Sequence, residues 1–270
     1  MIRQSLYRTL IELTNGRITS GALRRFSQSK LSKFLIPSYA RLYKLNLNEV
    51  EQDIKEFETL HDLFTRRLKL KARPVHPGRE SIVSPVDGVL EDIGEIGHDS
   101  IITVKGKDYS IDEMLNDSAV LDKYIGGRYM VIYLSPSHYH RIHSPVEGEV
   151  VRRWLLGKKS YPVNAWGMKF GREPLSKNYR IITEIKYHGG YLSLVKVGAM
   201  FVNSIVVTHS DQKVEKGEEL AYFSFGSTVV LLFEKGTVSP ADIPSLPLPV
   251  HVGQEIGYIK KEAESTSGQV

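Results

Sequence analysis

Cysteine is absent from the 270 residues. That removes disulfides, thiolate metal sites and a thiol nucleophile, and the expectation is a chain suited to a reducing compartment. Long apolar runs are missing as well. The longest, residues 130–134 and 229–233, fall far short of the roughly 20 residues of a membrane-crossing helix, and the amino terminus lacks a signal-peptide core. Neither a membrane span nor export is expected. Two catalytic signatures are also lacking, the His-Glu-x-x-His pair of zinc hydrolases and the Gly-x-Ser-x-Gly elbow of serine hydrolases. Catalysis has to draw on serine, histidine and carboxylate side chains placed some other way. At 41% hydrophobic content the chain has enough apolar material for a sizeable globular core.

Charge is present but unevenly placed. The whole chain carries +5, whereas residues 1–45 hold nine Lys or Arg against the single acid Glu12, a net +8 that leaves −3 for the rest. Ile2, Leu6, Leu10 and Leu13 recur at helical spacing in the same segment, with Leu23, Phe26, Leu31, Phe34, Leu35 and Ile36 adding apolar surface. This basic amphipathic arm suits an anionic membrane surface, each basic residue adding about 1 kcal/mol of attraction there. The alternative is that its apolar stripe packs on the protein's own core and the charges form a solvated face. No nucleic-acid-binding motif accompanies the charge, so no nucleic-acid partner is expected.

Along the chain, residues 1–70 read as helical. Asn46 with Glu49, and Thr59 with Asp62, have the spacing of capping boxes, the first ahead of Val50, Ile54 and Phe57 and the second ahead of Leu63, Phe64 and Leu68. From Arg73-Pro74 onward, residues 71–270 read as short β-branched strands broken by Gly, Pro, Asn and Asp, with one helix opening at Ser110 and Glu113. Residues 179–187, the turn His188-Gly189-Gly190 and residues 191–197 form a hairpin pattern. The expected class is α+β with a mainly antiparallel core. Ser84-Pro85-Val86-Asp87-Gly88 recurs as Ser144-Pro145-Val146-Glu147-Gly148, and residues 214–222 recur as 250–258. Paired units of this kind resemble the interlocked hammerhead strands of barrel-sandwich carrier domains, a likeness of fold that carries no function.

Three of the nine histidines, His138, His140 and His143, fall within six residues. A His-x-His-x-x-His metal site is conceivable, but Pro136 and Pro145 disturb its geometry and no metal is expected. A serine and an acid make better partners for these rings, since a hydroxyl nucleophile needs a base within reach and the base needs an acid to orient it. Asp87, a histidine of the cluster and Ser227 supply those roles. Ser227 follows Gly226, whose bare carbonyl is the least hindered target for a neighbouring hydroxyl, although Gly-Ser-Thr reads equally as a turn before a buried strand.

Taken together, Ser84-Pro85-Val86-Asp87-Gly88, Tyr139-His140-Arg141-Ile142-His143-Ser144-Pro145, Tyr161-Pro162-Val163-Asn164, Val197-Gly198-Ala199-Met200 and Gly226-Ser227-Thr228-Val229 closely resemble, in family order, the phosphatidylserine decarboxylases. The resemblance spans roughly residues 60–260; Phe225 and Tyr179 depart from the common Leu and Glu. It implies a self-processing proenzyme in which His143, oriented by Asp87, deprotonates Ser227 for attack on Gly226. Cleavage then leaves a β chain, 1–226, and an α chain, 227–270, whose first residue is a covalent pyruvoyl cofactor made from Ser227. The substrate's amine would form a Schiff base there and lose CO2, with His140 acting in that stage and His138 structural. Implied partners are phosphatidylserine, an anionic membrane and the enzyme's own two chains, with a homodimer left open, and the implied place is the cytoplasmic face of the cell membrane. The rival readings are an unprocessed triad hydrolase and a non-enzymatic carrier or membrane-binding module.

Overall fold

The computed structural model describes residues 22, 25–158, 160–163, 168, 173–199, 205–224 and 227–260. Most of the basic arm, Asn164, Met200, Phe225 and Gly226 therefore lie outside the described residues. The first layer is a small helical unit. A 3-10 segment, Lys30–Leu35, runs into α1 (Ile36–Leu42), and α2 (Leu60–Phe64) follows after two further 3-10 turns, Leu47–Glu49 and Ile54–Glu56. Helix α2 has the full capping box: Thr59 Oγ1 accepts the Asp62 N–H at 3.1 Å, and Asp62 accepts the Thr59 N–H at 3.0 Å. The Asn46 box does not launch a helix. Asn46 caps only one 3-10 turn, after which Val50 bridges to Leu68, so residues 50–58 hold a single 3-10 turn, Ile54–Glu56, and no α-helix. Ile36, Ala40, Val50, Phe57, Leu60 and Leu63 form the core of this layer.

The second layer is β. Its first half comprises β1 (Ser81–Val83), β2 (Gly88–Glu95), β3 (Ile101–Val104), β4 (Lys107–Ser110), helix α3 (Ile111–Leu115) and β5 (Arg128–Leu134). Then come β6 (Arg141–His143), β7 (Gly148–Leu156), β8 (Arg180–Tyr187), β9 (Gly190–Gly198), β10 (Ile205–Val207), β11 (Lys213–Val214) and β12 (Glu219–Phe223). The last strands are β13 (Ser227–Phe233), β14 (Val238–Pro240), β15 (Leu248–Val250) and β16 (Glu255–Ile259). Every pairing among the described residues is antiparallel. The main sheet has eight strands in the order β11-β7-β8-β9-β13-β5-β2-β15, and it is open at both ends.

Strand β13 sits inside this sheet with both faces covered. Val229, Leu231 and Phe233 enter one apolar cluster and Val230 and Leu232 the other, which explains why its sequence is an unbroken hydrophobic run instead of an alternating one.

The internal sequence similarity corresponds to a physical exchange. Val83 N–H donates to Pro145 O at 3.0 Å, and its counterpart His143 N–H donates to Pro85 O at 2.8 Å. Ser84 and Ser144 close the two turns with hydroxyl bonds to Val86 O and Val146 O, at 2.7 and 2.6 Å. Gly253 and Gly217, each with positive φ, donate to Ser84 O and Ser144 O at 3.0 and 2.8 Å. Each half thus supplies the hydrogen-bond partners of the other, and the exchange presses the Asp87 turn against the His143 strand.

Candidate active site

Ser227 opens β13 in register with Leu134 at the end of β5 and Gly198 at the end of β9. Because β5 leads straight into residues 135–140, the histidine cluster is delivered to the strand end that carries Ser227. The return strand β6 then pairs with β12, and Phe223 N–H donates to His140 O at 3.0 Å. On the other side of β5, Val89 pairs with Tyr133, so Asp87 reaches the same end of the sheet. Three segments distant in sequence therefore meet at one edge.

The side chains there differ sharply in their bonding. Ser227 is fully buried and its Oγ has no hydrogen-bond partner among the described residues. His140 is also fully buried, stacked on Phe64 of α2 with ring centroids 3.9 Å apart, and neither ring nitrogen has a hydrogen-bond partner among the described residues. Burial, reinforced by the charges of Arg66 and His138 and opposed only weakly by the His138 backbone, pushes its pKa well below the ordinary histidine value, so the ring is neutral. Buried polar atoms without partners are costly in a finished core and are characteristic of positions where chemistry or a ligand completes the bonding. His138 differs, since its Nδ1 accepts the Ser135 N–H at 3.0 Å and closes the loop.

His143 is held at both nitrogens. Nδ1 lies 2.8 Å from Gly217 O, and since a carbonyl can only accept, Nδ1 carries the proton. Nε2 is then the basic nitrogen, 3.2 Å from the Tyr139 hydroxyl. Burial lowers the pKa of His143, against opposing contributions from the Gly217 bond, Glu219 and Asp87.

Asp87 makes no hydrogen bond to His143. Its carboxylate receives Arg73 Nε at 2.8 and 3.0 Å, Arg73 Nη2 at 2.6 Å and the Val252 N–H at 2.9 Å. Burial favours the neutral acid, but Arg73 and Val252 outweigh it and hold Asp87 below the ordinary carboxylate range. Asp87 reaches His143 through its turn, by the Pro85 carbonyl, and through its charge. Among the described residues no three His, Asp or Glu side chains converge as a metal would require.

Several contributors escaped the sequence reading. Arg73 marked only a boundary there, yet it bridges Asp87 and Glu49, the latter at 2.9 Å. Asn178 is buried, accepts the Tyr161 N–H and donates to the carbonyls of Tyr161 and Gly198, pinning the Tyr161 segment beside the strand pair that holds Ser227. A cavity of about 670 Å³ lined by Arg73, His76, Pro77, His251, Val252 and Glu255 lies outside Asp87. A second, of about 110 Å³, lies beside Thr228, Tyr133 and Val163. Neither is lined by Ser227 or His140.

Comparison with known proteins finds similar chains. The family model described as phosphatidylserine decarboxylase matches residues 60–258. A phosphatidylserine decarboxylase proenzyme of Geobacillus sp. (strain WCH70) is 53% identical over 255 residues, covering 94% of this chain and 98% of the relative. Proenzymes bearing the same name from Bacillus thuringiensis (strain Al Hakam) and Bacillus mycoides (strain KBAB4) are 58% and 55% identical. They cover 88% and 94% of this chain, and 90% and 97% of their own lengths.

Proposed function

The chain belongs to the phosphatidylserine decarboxylase family, and we propose that its residues first cut the chain between Gly226 and Ser227 and then decarboxylate phosphatidylserine. The product is phosphatidylethanolamine with CO2, and the activity is that of a pyruvoyl-dependent lyase. The observation that carries the site assignment is the Ser227 hydroxyl, buried and without a hydrogen-bond partner among the described residues at a strand end fixed on both sides.

In the first stage Nε2 of His143 takes the Ser227 proton as Oγ bonds to the Gly226 carbonyl carbon. The peptide bond becomes an ester, elimination releases residue 226 as a carboxylate, and hydrolysis with loss of ammonia leaves a ketone at residue 227. Asp87 contributes a fixed negative charge that favours the transient imidazolium, and its turn holds the His143 backbone. Ser227 fits the role of precursor because its hydroxyl is enclosed, uncommitted and adjacent to glycine.

In the second stage the pyruvoyl group supplies a carbonyl that accepts the substrate's primary amine and the electrons left by departing CO2. His140 is assigned the return of a proton. A neutral, buried imidazole with uncommitted nitrogens suits proton transfer better than pairing with a phosphate. The reciprocal turns and their launched strands support reading the β core as interlocked hammerhead units.

The substrate's acyl chains lie in a bilayer, so this reading places the helical region, residues 1–70, on the cytoplasmic membrane face. Leu31, Phe34 and Leu42 are exposed by 72%, 68% and 74%, and Lys30, Lys33 and Arg41 lie beside them in sequence.

Intact-mass measurement tests the first stage. The purified chain is expected as two fragments, 1–226 and 227–270, the second lacking a free amino group. Ser227→Ala and His143→Ala are expected to stay whole and inactive; an active enzyme that remains a single chain overturns the assignment.

A further inference from the structure

Gly217 and Tyr139 hold His143 from opposite sides, and neither belongs to the serine–histidine–aspartate set. Gly217 has φ +83°, a conformation open to glycine at little cost, and a Cβ there would collide with Val75. That turn aims the Gly217 carbonyl at Nδ1 of His143, where it can only accept. The proton on Nδ1 leaves the lone pair on Nε2, 3.2 Å from the Tyr139 hydroxyl. The two rings lie 5.7 Å apart at 33°, four residues apart in sequence, and Tyr139 is buried with His143 as its hydrogen-bond partner. Burial raises the phenol's pKa, so Tyr139 keeps its proton and donates it to Nε2.

We propose that Tyr139 is a positioning residue for self-cleavage: its hydroxyl and the Gly217 carbonyl together fix the Nδ1–H tautomer of His143 and present Nε2 as the proton acceptor for Ser227. The inference rests on the reading above that His143 takes that proton. Orientation of the base thus comes from a backbone carbonyl and a phenol, while Asp87, held by Arg73, supplies charge at a distance. The proton balance is simple. The Tyr139 O–H turns away from Nε2 as Ser227 Oγ gives that nitrogen its hydrogen and bonds to Gly226, and the resulting imidazolium donates from Nδ1 to Gly217 O and from Nε2 to the Tyr139 oxygen, whose lone pairs then accept.

Nitrogen-15 NMR of the histidine rings in the uncut Ser227→Ala chain tests this, with His143 assigned by difference against Ser227→Ala/His143→Asn. Above the His143 pKa, Nδ1 is expected to carry the proton and Nε2 to show the shielded shift of a hydrogen-bonded, unprotonated nitrogen. Adding Tyr139→Phe is expected to move Nε2 downfield while Nδ1 stays protonated. In the Ser227 chain made by cell-free translation, Tyr139→Phe is expected to slow loss of the intact species by roughly tenfold to a hundredfold. A proton on Nε2 overturns the proposal, as does an unmoved Nε2 resonance or an unchanged cleavage rate in Tyr139→Phe. Should the phenylalanine variant fail to fold, the tautomer together with the Nε2 shift in Ser227→Ala decides, an Nε2 resonance without the shielding of a hydrogen bond overturning the proposal. A wild-type chain that never cuts refutes the two-stage reading instead and leaves the tautomer result intact.

Discussion

His140 lies against the Phe64 ring without a hydrogen bond to either nitrogen, and a buried imidazole in that state has a thermodynamic signature. Burial, with the Arg66 and His138 charges, holds its pKa well below the ordinary histidine value in the folded chain, whereas the unfolded chain titrates near that value, about 6.5. Below about pH 6.5 the unfolded state therefore binds a proton that the folded state refuses, and stability falls with pH by up to about 1.4 kcal/mol per pH unit from this group. His138 and His143, shifted in the same direction, add to the slope. Denaturant melts of Ser227→Ala between pH 7 and 5 are expected to show this loss, and Ser227→Ala/His140→Asn to flatten it; an identical slope in both would exclude His140 as its source. The sequence made His140 and His143 visible because imidazoles cluster between two prolines. It could not separate their surroundings, since Phe64 and Gly217 lie 76 and 74 positions away and one of the two contacts is a backbone carbonyl.

At the scale of elements, local chemistry read well and long-range pairing did not. The Thr59 and Ser110 caps, the hairpin of β8 and β9, and the two-faced apolar strand β13 all follow from residues within a few positions of one another. The Asn46 box failed because Val50 is drawn into a bridge with Leu68 and a buried cluster, contacts that outweigh a local helical preference. The repeated Ser-Pro-Val turns were legible as a repeat, but not as an exchange of hydrogen bonds. Gly88, which ends the Asp87 turn, shows what that close packing demands: a Cβ there would lie 2.6 Å from Tyr133 O and 2.8 Å from Ile132 Cγ2. Gly88→Ala must push β2 away from β5 and carry Asp87 with it. The expected cost is about 1–3 kcal/mol in urea denaturation, with slower appearance of the 227–270 fragment on gels. Unimpaired stability and processing would show that this contact tolerates a methyl group.

Over the whole molecule, the helical layer is tied to the histidine loop rather than appended to it. Tyr39 donates to Pro136 O at 2.9 Å, Arg66 Nη2 lies 3.1 Å from the carbonyls of Ser137 and His138, and Arg141 reaches Thr65 O. The surface that carries Leu31, Phe34 and Leu42 is therefore built on the loop that carries His140. Among the described residues no helix is long and apolar enough to cross a membrane, and flotation with vesicles containing anionic lipid measures surface attachment directly. Leu31→Ser/Phe34→Ser/Leu42→Ser is expected to remain with the dense fraction while still cutting itself; undiminished flotation would assign attachment elsewhere. Charge and periodicity raised the arm as an expectation whose periodic residues, Ile2 to Leu13, lie outside the described residues, and the junction of residues 39–66 with the histidine loop depends on tertiary contacts between segments some 70 to 100 residues apart.

Strand β13 begins at the residue after the proposed cut and lies between β5 and β9, both of which would belong to the other fragment. Severing the chain there removes a covalent link but no ladder of the sheet. The proposed fragment 227–270 also contributes β14, β15 and β16, two of which pair with β1 and β2, so its departure would require dismantling the core. A terminus made by the proposed cut would consequently be born clamped, because Ser227 is already aligned with Leu134 and Gly198. On the proposed mechanism a broken backbone is a rigid mount, and the carbonyl formed at residue 227 would need no docking step to reach its working position.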